Sequence, residues 1–127
     1  MAQLTLTQLP HELTVARLKA DAPIPDWALT SDFFAITRTE DELSIVCPQD
    51  NVPARGQQAR GWRGLKVAGP LDFALTGILA GLAAPLAAAS IPIFAISTFD
   101  TDYLLIPGAE FEHAIRVLRA SGHHIAE

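Results

Sequence analysis

The chain of 127 residues carries a single cysteine, Cys47. No internal disulfide and no paired-cysteine metal or redox motif is open to it, which fits a reducing, cytoplasmic setting. Positive charge is scarce as well. Nine Lys and Arg stand against 14 Asp and Glu, a formal net charge of −5. Nucleic acids and anionic membranes both need a positive field, so neither is expected as a partner. The N-terminus, MAQLTLTQLPHELTV, lacks the basic start and the continuous apolar run of a signal peptide. Charge of either sign is missing from Phe73 to Phe99. That run is long enough to span a bilayer, and Gly77 and Gly81 form a GxxxG pair. Its character changes halfway, however. Residues 73–90 are rich in Ala, Leu and Gly, whereas Pro92-Ile93-Phe94-Ala95-Ile96-Ser97 is strand-like, and Pro85 and Pro92 interrupt a single helix. A buried helix followed by a buried strand accounts for the run, and no membrane is expected as a partner.

Half of the residues are apolar, enough for a sizeable core. The most informative feature is internal repetition. Leu13-Thr14-Val15-Ala16 answers Leu65-Lys66-Val67-Ala68. Phe34-Ala35-Ile36-Thr37 matches Phe94-Ala95-Ile96-Ser97. Asp41 to Pro48 answers Thr101 to Pro107, with one extra residue in the first copy. The three blocks keep their order. Each copy predicts a strand ending near Ala16 or Ala68, a connection, and a hairpin over 33–38 and 43–47 or over 92–98 and 102–106. The turns, Thr39-Glu40-Asp41-Glu42 and Phe99-Asp100-Thr101-Asp102, are polar and acidic, as turns favour.

The connections differ. Residues 73–90 predict a helix apolar almost all the way round, with Pro85 kinking or breaking it. In the first copy only Pro25-Asp26-Trp27-Ala28-Leu29 looks helical, a single turn. Phe111, Ala114, Ile115 and Leu118 share one helical face, Gly122 suits a C-cap, and residues 123–126 predict a last strand. The second copy therefore reads βαββαβ, the split-βαβ or ferredoxin-like pattern. The first copy lacks a clear second helix, and residues 49–61 predict a loop or a short helix. The expected fold is α+β, with two tandem units at 1–64 and 65–127, the first degenerate.

The run Leu65 to Phe73, then Thr76-Gly77-Ile78-Leu79-Ala80, Pro85-Leu86-Ala87 and Ile93 to Tyr103, resembles a small bacterial ACT-domain family. That family is similar to the regulatory ACT domains of aspartate kinases and to the cytosolic arginine sensors of animals. The resemblance is dense over residues 62–107. It implies tandem ACT-like units and a regulatory module that binds a small molecule, usually an amino acid, without catalysis. It also implies a site where the first strand-to-helix loop of one unit meets the second strand of another. By position, the loop is Asp72, Phe73, Thr76, Gly77 and Ile78. The strand and turn are Ile96, Ser97, Thr98, Phe99, Asp100, Thr101 and Asp102. The physics is compatible: a helix N-terminus suits a carboxylate, Gly77 permits close approach, and Asp72, Asp100 or Asp102 can hold an ammonium. Each acid has a plainer reading too, Asp72 as a helix cap and Asp100 and Asp102 as turn residues. A homodimer is expected, since a four-stranded sheet leaves edges to cover. A partner enzyme or regulator would receive the signal. The alternative is a structural or interaction module that keeps the fold and has lost its ligand, its pocket filled by Phe73 and Phe99.

Other chemistry finds little support. Adjacent His123 and His124 point to opposite faces of a strand, and neither His11 nor His113 completes a zinc spacing. Asp100-Thr101-Asp102 opens like a calcium loop but lacks the glycine and the distal glutamate. Cys47 on an apolar strand reads as a buried small hydrophobe. Arg55, Arg60, Arg63 and Lys66, with Trp62 among them, form a basic cluster that reads as a solvated loop. No Ser-centred elbow or phosphate loop is present. No catalytic residue, metal ligand or cofactor is expected.

Overall fold

In the computed structural model the described residues are 3–71 and 76–126. The chain divides into two compact units, one of Met1–Pro10 with Arg63–Glu127, the other of His11–Trp62. Strands β1 (Thr5–Leu18) and β4 (Gln57–Val67) each give residues to both.

The first unit holds the start of β1 and the end of β4, then α1 (Ile78–Ala88), β5 (Phe94–Ser97), β6 (Asp102–Pro107), α2 (Phe111–Ala120) and β7 (His124–Ile125). From Arg63 onward this is the expected βαββαβ order. Across the sheet the order is β5-β6-β4-β1, with β7 on β1. β7 runs parallel to β1, Thr5 opposite His124 and Leu6 opposite Ile125. The opening residues of the chain thus complete the sheet that the last strand joins.

Alternation decides which side chains enter the core. Leu65 and Val67 are fully buried and Lys66 between them is exposed. Leu104 and Ile106 join them, together with Leu82 and Leu86 of α1 and Phe111, Ala114, Ile115 and Leu118 of α2. The α2 face is the expected one. Each large apolar side chain buried there contributes about 1.5–3 kcal/mol. Arg63 stacks its guanidinium on the Phe111 ring, 4.5 Å from the centroid. Gly122, at φ 97°, turns the chain out of α2. The N–H of Gly122 bonds the Arg119 carbonyl (3.0 Å) and that of His123 bonds the Leu118 carbonyl (3.1 Å), the pattern of a left-handed glycine cap.

Helix α1 departs from expectation in two ways. It is not buried all round: Gly81, Leu82 and Leu86 are buried, but Ala80, Ala84, Ala87 and Ala88 are exposed. Alanine is apolar enough to read as core and small enough to stand in water at little cost. Nor does Pro85 break the helix, one of the two outcomes expected of it: α1 continues to Ala88. Pro85 has no N–H for the Gly81 carbonyl one turn earlier. The buried His123 replaces it, its Nε2 lying 3.3 Å from that carbonyl oxygen. The Nδ1 of the same ring accepts the Leu4 N–H at 3.1 Å, which places the ring proton on Nε2. His124, the next residue, is exposed.

The second unit contains the rest of β1, β2 (Ala35–Arg38), β3 (Leu43–Pro48) and the start of β4. β1 and β3 are antiparallel from Leu13 opposite Pro48 to Leu18 opposite Leu43, and β2 pairs with β3 from Ala35 opposite Val46. A single 3-10 turn, Asp26–Leu29, stands where the first unit has α1. Ala28, Leu43, Ile45, Cys47 and Val52 make the core, with Leu18 and Trp27 packed against it. Cys47 is fully buried, and burial pushes its thiol pKa up. Residues 49–61, expected as loop or short helix, split into a 3-10 turn at Gln49–Asn51 and, from Gln57, the start of β4. This stretch of strand is polar because Gln57, Ala59 and Arg60 face solvent. It is held instead by hydrogen bonds. The Thr14 hydroxyl bonds the Gln58 Oε1 and the Ala59 carbonyl, and Arg60 reaches the Gln49 carbonyl. Of the basic cluster, Arg60, Arg63 and Lys66 therefore stand on a strand, and only Arg55 lies in an exposed loop.

Both hairpins close on four-residue turns opened by threonine. Arg38 faces Leu43 and Ser97 faces Asp102, leaving 39–42 and 98–101 between them. Thr39 Oγ1 accepts the N–H groups of Asp41 and Glu42, and Thr98 Oγ1 accepts that of Thr101. The second turn thus begins one residue earlier than expected.

Candidate functional site

The site is built where β4 ends and the β5–β6 turn folds against the chain that follows. Thr101, 5% exposed, donates its hydroxyl to the Val67 carbonyl at 2.6 Å. The Leu71 N–H donates to the Asp100 carbonyl at 2.7 Å. Between these two bonds lies Gly69. A Cβ added there would come within 2.9 Å of the Asp100 carbonyl oxygen and 3.2 Å of the Thr101 Cβ. The close approach of loop and turn therefore requires glycine.

Beside this seam is a cavity of about 200 Å³, lined by Lys66, Gly69, Pro70, Thr98, Asp100, Thr101 and Tyr103. Lys66 brings an ammonium, Asp100 a carboxylate, and Thr98, Thr101 and Tyr103 bring hydroxyls. The cavity thus offers both signs of charge and several hydrogen-bonding groups over a small volume. Phe99 does not fill it: the ring is 79% exposed and is not part of the lining.

Of the expected residues, Thr98 and Asp100 line this cavity, as does Thr101. Ser97 and Asp102 sit at the end of the hairpin, where the Ser97 hydroxyl bonds the Asp102 carboxylate. Ile96 lies in β5 opposite Tyr103. None of these three is part of the lining. Thr76, Gly77 and Ile78 are at the start of α1 and are not part of it either. Gly77, the N-cap, has φ 78° and open space where a Cβ would project, so its glycine serves the backbone conformation. Asp72 and Phe73 lie outside the described residues. The expected helix cap by Asp72 lies outside them too; α1 begins at Ile78.

Lys66, Gly69, Pro70 and Tyr103 were missed. Lys66 carried a readable signal, since it alternates with Leu65 and Val67 and so points the other way, whereas Tyr103 precedes the continuous apolar run Leu104-Leu105-Ile106, in which alternation marks no outward face. Gly69 and Pro70 carried none beyond marking a turn.

An ACT-domain family model matches residues 58–120, and a second model, of an N-terminal domain, matches residues 11–55. The chain is 37% identical over 95 residues to the cytosolic arginine sensor for mTORC1 subunit 1 of Homo sapiens. The match covers 68% of this chain and 29% of the sensor, so the chain spans under a third of that relative. The crystal structure of a protein from Agrobacterium tumefaciens superposes with a TM-score of 0.93 at 39% identity, covering 99% of this chain and 94% of that one. The regulatory subunit of aspartate kinase from Thermus thermophilus shares the fold, with a TM-score of 0.63 at 11% identity, over 92% of this chain and 96% of that one. Among the described residues, no helix is long and apolar enough to cross a membrane.

Proposed function

The chain belongs to the ACT-domain family, and from that premise we propose that it is a non-catalytic regulatory module whose first unit binds a free amino acid. The observation that carries this reading is the cavity between Lys66 and Asp100. A free amino acid presents a carboxylate and an ammonium a few ångströms apart. Lys66 suits the first and Asp100 the second, each through charge-assisted hydrogen bonds. Thr98 and Thr101, whose hydroxyls close the turn and hold the Val67 carbonyl, fix the wall that carries Asp100. The relatives' names support the class of function, one a sensor of arginine and one a regulatory subunit.

Thr98 and Asp100 are the ligand-binding residues of this reading, with Lys66, Thr101 and Tyr103 added to them. Asp72, Phe73, Thr76, Gly77, Ile78, Ile96, Ser97, Phe99 and Asp102 would complete the site only if a second unit closes over it. That closing unit comes, in this reading, from another copy of the chain in a cytoplasmic homodimer. The exposed face of α1, with Ala80, Ala84, Ala87 and Ala88, carries no charge to oppose close packing of another copy. The second unit is read as a degenerate tandem copy of the first, since both use a threonine-opened hairpin turn. A ligand that binds one conformation better than another would pass its signal to a partner enzyme or regulator.

The test is a thermal-shift screen of the full chain against the twenty amino acids at millimolar concentration. At a hundred times its Kd a ligand stabilises by about 2.7 kcal/mol. One amino acid or a small related group is expected to raise Tm, and Asp100→Asn to abolish the shift. No shift with any of the twenty would favour a module that has lost its ligand.

A further inference from the structure

The second unit contains a cavity of its own, which the family resemblance does not account for. Its volume is about 240 Å³. The lining comes from Ala16–Leu18 of β1, from Pro25 and Trp27 around the 3-10 turn, and from the segment 52–58. All of these lie within residues 11–62.

The walls are held in place before any ligand arrives. Trp27 packs on the core of the unit. The segment 53–58 is tied by one side chain: Gln58 Nε2 donates to the carbonyls of Pro53 and Arg55, each at 2.8 Å. Its Oε1 accepts the Thr14 hydroxyl and Arg60 Nη1, each at 2.9 Å. Gly56, at φ 79°, makes the bend. A pocket organised in this way does not have to be ordered by its ligand.

Its chemistry is unlike that of the whole chain. The protein carries a net charge of −5, yet the lining contains two arginines, Arg17 and Arg55, and no acid. Arg17 alternates with Ala16 and Leu18, so its side chain leaves by the opposite face of β1 and reaches the Asp41 carbonyl at 3.0 Å, which leaves Arg55 as the cation available to a ligand. Pro25, Trp27 and Val52 give the cavity an apolar floor. A dry cavity of about 150 Å³ holds a benzene molecule, so this one has room for a ring and a short charged tail.

We propose that this cavity binds a small aromatic carboxylate, its ring against Trp27 and Pro25 and its carboxylate on Arg55. The planar guanidinium fork matches a carboxylate in bidentate geometry. A bare inorganic anion would leave the apolar floor unused, and a neutral ring would leave Arg55 unused.

The experiment is calorimetric titration of the full chain with phenylacetate, beside benzyl alcohol and inorganic phosphate. Phenylacetate is expected to bind saturably with one site. Benzyl alcohol and phosphate should each bind at least about tenfold more weakly, as loss of a charge-assisted bond or of ring burial implies. Arg55→Gln should raise the phenylacetate Kd about tenfold or more and leave Tm unchanged because its side chain is exposed. Lys19→Gln, outside the lining, should leave the affinity as it is. No saturable binding, equal binding of benzyl alcohol or phosphate, or unchanged affinity in Arg55→Gln would overturn the proposal. Asp100→Asn should not alter phenylacetate binding, which keeps this result separate from the amino-acid site.

Discussion

Pro85 can stand inside α1 because of His123. The imidazole, 4% exposed, accepts the Leu4 N–H on Nδ1 and donates from Nε2 to the Gly81 carbonyl that Pro85 leaves unserved. Substituting His123→Ala strands both backbone groups. An unpaired buried donor or acceptor costs about 1–3 kcal/mol, so the variant should lose about 2–4 kcal/mol, the Leu4 group being only part-buried. That is a large part of the 5–15 kcal/mol of a typical domain. Urea unfolding, followed by far-ultraviolet circular dichroism, reads the loss as a lower midpoint. The sharper form of the test is a double-mutant cycle with Pro85→Ala. Alanine at position 85 restores the N–H that bonds the Gly81 carbonyl, and the helix-propensity gain cancels in the cycle. His123→Ala should then cost at least about 1 kcal/mol less than in the parent, beyond the ~0.3–0.5 kcal/mol expected of independent sites. Additive losses, or a single variant within ~0.5 kcal/mol of the parent, would refute the linkage between histidine and proline.

Gly69→Ala forces the Asp100 carbonyl away from the loop and should destabilise by about 1–3 kcal/mol, measured by urea unfolding, while weakening whatever binds beside Asp100. Burial raises the Cys47 thiol above its ordinary pKa of 9.0. Its neutral form is thus favoured in the folded state, and its contribution to stability is full below pH 9.0 and declines as the pH rises past that value. Cys47→Ala should flatten that alkaline decline in unfolding curves. Iodoacetamide should modify Cys47 slowly in the folded chain at neutral pH and quickly in urea, since the thiolate is the nucleophile.

Much of the fold was readable because its signals are local. The hairpins, the buried face of α2 and the cap at Gly122 each follow from period, turn chemistry or backbone freedom within a few residues. What escaped depends on distant partners. β4 begins at Gln57 because residues such as Thr14 bond it, and nothing in a polar, glycine-punctuated stretch announces that. His123 looked like a poor metal ligand and is a backbone partner for residues far from it in sequence. The outward face of α1 was misjudged because alanine's apolar character and its tolerance of water cannot be separated from composition alone. The site divided in the same way. Of the cavity lining, Thr98 and Asp100 were expected through resemblance, whereas Lys66 needed strand alternation to be applied to the face that points away from the core, and Tyr103, ahead of three buried apolar residues, offered no such alternation. Gly69 became visible only when the Asp100 carbonyl was seen beside it.

The most direct test of the account is to locate the amino acid that the screen selects. A ¹⁵N-labelled full chain titrated with that ligand should show its largest amide shifts at Lys66, Gly69 and Thr98–Thr101, the residues around the 200 Å³ cavity. Saturating shifts centred elsewhere, or none in this segment while Tm still rises, would contradict the placement of the site between Lys66 and Asp100.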